Sequence, residues 1–430
     1  MDLLPDQLEI GTVSGPVNFS MQPPGSKSIT NRALLCASLA GGTSTLGGAL
    51  KSDDTIVMID ALGQLGIEVA QNWDNSELSI NGGQFKNHQA TIEVKNSGTS
   101  IRFLTAALAV AGGKYRLQGV PRMHQRPIGA LVDSLNQLGA NVDAESVNGC
   151  PPVVISNDRL AGGSTKIKGD VSSQYLSGLL MAAPLASEDV VIELEGELVS
   201  KTYVDMTIEV MKKFGVDVQA ASDYSRFEIG KSQSYSAVEY LIEPDASAAS
   251  YFWAAAAICG GTATVTGLNR NSLQGDVGFV ECLRKMGCEV NFESNQISVT
   301  GPAKVGIDID MSDISDTAQT LAVVALGVEG STRIRGIAHN RVKETDRIGN
   351  LAIELRKLGA EVEEHEDGLT ITPGTLRSAE IDTYDDHRMA MSLALAGLRQ
   401  SGVIIRDPGC VSKTYPNYFD DFQKHFGASS

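Results

Sequence analysis

The chain has no uninterrupted apolar run of 18 residues, which excludes a membrane-spanning helix. It also lacks a basic excess. Its 35 Lys and Arg stand against 52 Asp and Glu, and a net charge of −17 argues against a nucleic-acid surface. No Lys or Arg precedes the short apolar stretch of MDLLPDQLEIG, so the start does not read as a secretory leader and a cytoplasmic location is expected. None of the six cysteines, Cys36, Cys150, Cys259, Cys282, Cys288 and Cys410, stands in a Cys-x-x-Cys pair. Reduced thiols inside the core are the expected state.

What the chain does have is a repeated design. SKSITNRALLCASLAGG, from Ser26 to Gly42, is apolar on every side, opens on small hydroxyl residues and closes on a glycine pair. A helix of that kind belongs inside a domain. The same pattern returns as SGTSIRFLTAALAVAGG, SSQYLSGLLMAAPLA, DASAASYFWAAAAICGG, SDTAQTLAVVALG and DDHRMAMSLALAG. With Ser28, Thr99, Ser172, Asp245, Asp316 and Asp386 as the openings, the intervals are 71, 73, 73, 71 and 70 residues, an internal repeat.

A second series runs in step with the first. Amphipathic segments such as ALGQLGIEV, DSLNQLGANV and IELRKLGAEV end at Gly66, Gly139, Gly215, Gly287, Gly359 and Gly427, each suited to a left-handed helix cap before a strand. One unit of about 72 residues therefore holds a buried helix, a short strand, a surface helix and two further strands, and six units account for the chain. The last unit stops just after Gly427, while QLEIGTVSGPVNFSM, residues 7–21, is strand-like with no helix before it. The N-terminus is expected to complete the final unit. Six such units exceed one core, so two domains of three units each are expected: residues 24–239, and residues 1–23 with 240–430.

The cations are unevenly placed. Lys27 and Arg32, Arg102, Arg122 and Arg126, Arg341 to Arg347, Arg388 and Lys413 fall at helix openings or in the loops before them. Free N–H groups of a first turn beside cations make an anion site, so the expected ligand is a small molecule with several negative charges.

Eight strings taken together, PGSKSITNR, NSGTSIRFLTAAL, RPIGALVDSLNQLGA, DVSSQYLSGLLMAAPLA, LVSKTYVDMT, RVKETDR, YDDHRMAM and SKTYPNYF, resemble in order the motifs of the 5-enolpyruvylshikimate-3-phosphate synthase family, over residues 8–424. The resemblance implies a two-domain, inside-out α/β barrel of six βαβαββ units, with the buried helices' N-termini facing one central cleft. It implies transfer of the enolpyruvyl group of phosphoenolpyruvate to the 5-hydroxyl of shikimate 3-phosphate, with release of phosphate, by a monomer needing no metal or organic cofactor.

Carried onto this chain, the resemblance assigns phosphoenolpyruvate to Lys27, Gly98, Arg126, Arg347, Arg388 and Lys413. It assigns shikimate 3-phosphate to Lys27, Ser28, Arg32, Ser172, Ser173, Gln174, Ser200, Tyr203, Asp316, His339 and Lys343. Helix-opening serines also suit a phosphate by themselves, because hydroxyls and first-turn N–H groups bind it without adding charge. Arg122 has a weaker case and is expected at the surface. His339 is a departure, since the family more often has asparagine two places before the arginine of this motif.

The reaction must take a proton from a hydroxyl, give one to a methylene carbon and later remove one from the resulting methyl. Asp316, Glu344 and Lys27 are the groups that could share these transfers. Asp386 and His387 read as capping and orienting residues. The resemblance also places the inhibitor glyphosate at the phosphoenolpyruvate site. Phe103, where relatives have proline, is expected to shift Gly98 and Thr99 toward that ligand, and a methyl added at Gly98 to point at it.

Two other readings remain. The sister transferase acting on UDP-N-acetylglucosamine carries a reactive cysteine in a loop whose counterpart here, LQGVPRMHQRPIG, has none. A non-catalytic repeat scaffold would have no use for cations gathered at helix openings.

Overall fold

Serine and aspartate at the helix openings act on the backbone as their chemistry requires. In the computed structural model, which describes residues 4–427, Ser26 Oγ accepts from the Ile29 N–H at the start of the first buried helix, Lys27–Leu39. Ser97 does the same for the second, Gly98–Ala111, and Ser172 for the third, Ser173–Ala182. Asp245 caps the fourth, Ala246–Cys259, through the Ala248 N–H at 2.8 Å, and Asp386 the sixth, His387–Gly397, through the Arg388 N–H at 2.9 Å. Each cap satisfies a first-turn donor that has no partner within the helix.

Three openings differ from the sequence reading. Ser28 and Thr99 are the second residues of their helices, because Ser26 and Ser97 lie two places earlier and take the capping role. The fifth buried helix, Ala318–Val324, is entered through a 3-10 turn, Ser312–Thr317, and has no side-chain cap. Asp316 cannot cap it, because its carboxylate is committed to three cations.

These helices link parallel strands. Gln89–Glu93 pairs in parallel with Gly113–Gln118, in the register Thr91 to Arg116, across the second buried helix. The surface helix Gly129–Gln137 then leads to an antiparallel pair, Val142–Ala144 and Val153–Asn157, which completes a four-stranded sheet. Five sheets share this order and a sixth has three strands. At five of the six surface-helix ends, Gly66, Gly139, Gly215, Gly287 and Gly359 take positive φ, where a side chain would strain the backbone. Gly427 is extended instead, with φ −60° and ψ 132°.

The chain divides into two compact units, Gly25–Ile242 and the residues up to Pro24 together with those from Glu243. Each has its own core. In the first, Glu239–Leu241 returns to lie parallel to Gly42–Gly47, so the chain leaves this unit only after Ile242, a few residues past position 239. In the second, the N-terminal strand-like stretch splits. Gln7–Glu9 runs antiparallel to Val403–Arg406 in the last sheet, whereas Val17–Met21 runs parallel to Gly261–Thr266 in another. All six cysteines are free and buried. No helix among the described residues is long and apolar enough to cross a membrane.

Candidate active site

In the Gly25–Ile242 unit the first two buried helices open beside cations and the third opens on serines. Lys27 is the first residue of its helix, and its Nζ lies 3.5 Å from Asp54 Oδ2, with both side chains mostly covered. Ser28 is half-buried and gives its carbonyl to Arg32 Nη1 at 2.9 Å. Arg32 is buried: its Nε donates to Thr207 Oγ1 at 2.7 Å, and its Nη2 lies 3.2 Å from the Tyr203 carbonyl and 3.4 Å from Ser177 Oγ. Its guanidinium also sits 5.2 Å from the Phe103 ring centre and 5.9 Å from that of Tyr203. Burial pulls its pKa down to about 10, so it still carries its charge at neutral pH.

Gly98 is where two guanidinium groups meet. A Cβ built there would run into Arg126 Nη2 and Arg102 Nη1. Arg126 donates to the Asn96 carbonyl at 2.9 Å and to its side-chain oxygen at 3.2 Å. Arg102 donates to Gln174 Oε1 at 2.8 Å, to the Gly98 carbonyl at 3.1 Å and to the Pro127 carbonyl at 3.1 Å. A methyl at position 98 therefore meets the ends of both arginine side chains. The reading of Phe103 changes. It is the sixth residue of its helix, past the first turn, and its buried ring bears on Arg32 rather than on Gly98.

The serine cluster lies alongside. Ser172 Oγ accepts from the Gln174 N–H at 3.3 Å, and Ser173 is buried as the first residue of its helix. Ser200 is buried in the left-handed region, φ 55° and ψ 49°, and its side chain does not cap the helix that follows. A non-glycine residue held there stores strain of the kind found at ligand sites. Arg122 is half-buried and reaches Gln125 at 3.2 Å.

In the other unit, charge converges on one carboxylate. Asp316 Oδ1 accepts from Lys343 Nζ at 3.0 Å and Arg347 Nη1 at 3.3 Å, and its Oδ2 from Arg388 Nη2 at 2.8 Å. Arg347 also forks onto Asp386, at 2.7 and 3.1 Å, and lies 2.8 Å from Glu344. Glu344 is 3.7 Å from Lys413 Nζ. Burial alone would depress the pKa of Arg347, but Asp386, Glu344 and Asp316 outweigh it and raise the value. Burial pushes Lys343 down, and Asp316 opposes that shift.

Burial holds the two histidines in their neutral form. His339 Nε2 and Ser315 Oγ are 2.9 Å apart, and burial with the nearby Lys343 pulls the imidazole down to about 3. Asn340 holds the Ser315 carbonyl at 2.9 Å. Both side chains thus bear on the turn that carries Asp316. His387 is fully buried, and burial followed by Arg388 and Arg347 pushes it well below its ordinary value. Asp386 does orient, since it caps its helix and forks onto Arg347.

Two residues join these clusters without having been assigned to a ligand. Arg102 was visible as a cation, but only the fold shows it sharing Gly98 with Arg126. Asp276 stands in the string QGDVGF ahead of a surface helix. It is buried and accepts a hydrogen bond from Ser247 Oγ. Its position in the string, comparable to RPIG and RIGN ahead of other surface helices, was the available signal.

Six repeated units with cations gathered at three of the buried-helix openings define a class: a protein built by repetition that offers sites to small, multiply charged anions. Comparison with known proteins makes this specific. Residues 12–422 match the family model described as EPSP synthase (3-phosphoshikimate 1-carboxyvinyltransferase). A 3-phosphoshikimate 1-carboxyvinyltransferase of Vibrio atlanticus is 49% identical over 96% of this chain and 96% of that protein. One of Nostoc punctiforme is 46% identical over 97% and 98%. The solved EPSP synthase of Acinetobacter baumannii is similar in structure, with a TM-score of 0.81 over 98% of each chain at 25% identity. The chain belongs to the EPSP synthase family. Its reaction moves the enolpyruvyl group of phosphoenolpyruvate to the 5-hydroxyl of shikimate 3-phosphate and releases phosphate.

Proposed function

We propose that the charged clusters of the two units carry this transfer, with roles that follow from their chemistry. Lys27, Arg126, Arg347, Arg388 and Lys413 neutralise the carboxylate and phosphate of phosphoenolpyruvate, and Gly98 leaves the space in which Arg126 and Arg102 converge. Planar guanidinium groups match both anions in two-pronged geometry. Ser172, Ser173, Gln174 and Ser200 hold the phosphate of shikimate 3-phosphate. Ser28, Arg32, Tyr203 and Lys343 bind the remaining polar groups of that substrate. His339 contributes by holding Ser315 beside Asp316. Lysine and arginine supply all the positive charge this reading requires, so it includes no metal or organic cofactor, and it takes the working protein to be a monomer.

The observation that carries the proposal is the convergence of Lys343, Arg347 and Arg388 on Asp316. Both oxygens of this carboxylate are occupied by cations that also suit substrate anions. An incoming phosphate or carboxylate competes for Arg388 and Lys343 and so frees a lone pair on Asp316 for the 5-hydroxyl. The hydroxyl oxygen then attacks C2 of phosphoenolpyruvate as its proton leaves. Protonation of C3 by Lys27 or Glu344 completes a tetrahedral adduct, and loss of phosphate with removal of one methyl proton restores the double bond.

The test is phosphate release in wild type and Asp316→Ala at saturating substrates. Turnover should fall by about two to four orders of magnitude, the range for a lost proton-transfer group. Near-normal turnover removes Asp316 from this role.

A further inference from the structure

Asp276 belongs to no role assigned above, yet its surroundings are built around it. It lies on the 3-10 turn Gly275–Gly278, which Gln274 clasps to the opening of the fourth buried helix. Gln274 Oε1 accepts from the Ala246 N–H at 2.9 Å, while its Nε2 donates to the Pro244 carbonyl at 2.7 Å and to Glu243 at 3.2 Å. The clasp sets the Asp276 carboxylate against Ser247 Oγ. Ser247 Oγ in turn lies 3.4 Å from Arg388 Nη2, the nitrogen that reaches Asp316 at 2.8 Å.

The direction of these hydrogen bonds is set by proton count. A guanidinium nitrogen only donates, so Ser247 must accept from Arg388. Its hydroxyl has one proton, which goes to Asp276. An ionised carboxylate only accepts and therefore holds the hydroxyl in that orientation. An amide can donate instead, and it then leaves the serine proton free to face the guanidinium.

We propose that Asp276 is a positioning residue for Arg388: through Ser247 it fixes the guanidinium beside Asp316 in the geometry that receives phosphoenolpyruvate. The proposal rests on the reading of Arg388 as a phosphoenolpyruvate ligand. It also makes that geometry dependent on pH. The groups facing Asp276 are Asp245 and Ser247 from the fourth buried helix and its cap, Asp316 from the Ser312–Thr317 turn, and Arg388 from the sixth buried helix. Burial, then Asp316, raises the Asp276 carboxyl to about 6, against the opposing pull of Arg388 and Ser247.

The test measures KM for phosphoenolpyruvate and kcat between pH 5.5 and 8 for wild type, Asp276→Asn, Ser247→Ala, the double variant and Arg388→Gln. At pH 7.5, Asp276→Asn should raise KM about tenfold, the effect of one charge-assisted hydrogen bond, with kcat within about threefold. Ser247→Ala should act similarly, and the double variant should be no worse than the larger single one, because the two residues act in series. The ratio of the Asp276→Asn and wild-type KM values should fall toward one at pH 5.5, where most of the wild-type Asp276 is itself protonated. The titration of phosphoenolpyruvate cancels in that ratio. Additive penalties, a ratio that does not change with pH, or an unchanged KM in Asp276→Asn alongside an impaired Arg388→Gln would overturn the proposal. An unchanged KM in Arg388→Gln would instead overturn the reading beneath it.

Discussion

At residue scale, the side chains were legible as types and less so as contacts. Lys27, Arg126, Arg347 and Arg388 stood out because cations at helix openings in an acidic chain call for a ligand. That Arg32 would be buried between Thr207, Ser177 and two aromatic rings was not readable, since those partners are remote in sequence. The same holds for Gly98, whose small size makes room for two guanidinium groups. Gly98→Ala should therefore raise the KM for phosphoenolpyruvate itself, by displacing Arg126 and Arg102. An unchanged KM alongside weaker glyphosate inhibition would mean that the methyl faces the inhibitor and leaves the arginines in place. Asp276 supplies a pH prediction. Its folded-state pKa of about 6 lies above the ordinary 3.8, so the folded chain binds this proton more tightly than the unfolded one. Its contribution to stability is then intact below about pH 4 and lost as pH rises through 6. Asp276→Asn should melt higher than wild type at pH 7.5 and at the same temperature at pH 4, by calorimetry. Equal midpoints at pH 7.5 would contradict the shift.

At the scale of elements, the buried helices were the clearest signal, because a helix apolar on all sides with a hydroxyl or carboxylate at its start leaves little choice. The offsets at Ser28 and Thr99 arose because several small polar residues stand together and spacing does not choose between them. Asp316 resembled a cap, but three cations claimed it. The two aspartates that do cap differ in what else they hold, and magnitudes separate them. Asp245→Ala removes one cap bond and should cost about 1 kcal/mol. Asp386→Ala also strips the two-pronged partner from a buried arginine, and that loss is worth about 3 to 5 kcal/mol. Urea unfolding of the two variants should show the larger loss for Asp386→Ala. Similar losses would mean that Glu344 and Asp316 alone satisfy Arg347.

At the scale of the whole molecule, six repeats could be counted from the sequence, but the partners of individual strands could not. Gln7–Glu9 and Val17–Met21 read as one strand-like stretch, yet they enter different sheets. Alternation shows that a strand exists; the edge it joins depends on which neighbouring sheet lacks a strand. A ligand that binds only the folded chain adds to its stability by mass action. Shikimate 3-phosphate at 100 times its Kd should add about 2.7 kcal/mol and raise the unfolding temperature. UDP-N-acetylglucosamine should not, and equal shifts with both ligands would remove the proposed selectivity. The most direct measurement of the central claim is phosphate release from phosphoenolpyruvate with each acceptor in turn. Release should require shikimate 3-phosphate, remain at background with UDP-N-acetylglucosamine, and be lost in Asp316→Ala. Release supported by UDP-N-acetylglucosamine and absent with shikimate 3-phosphate would contradict the account.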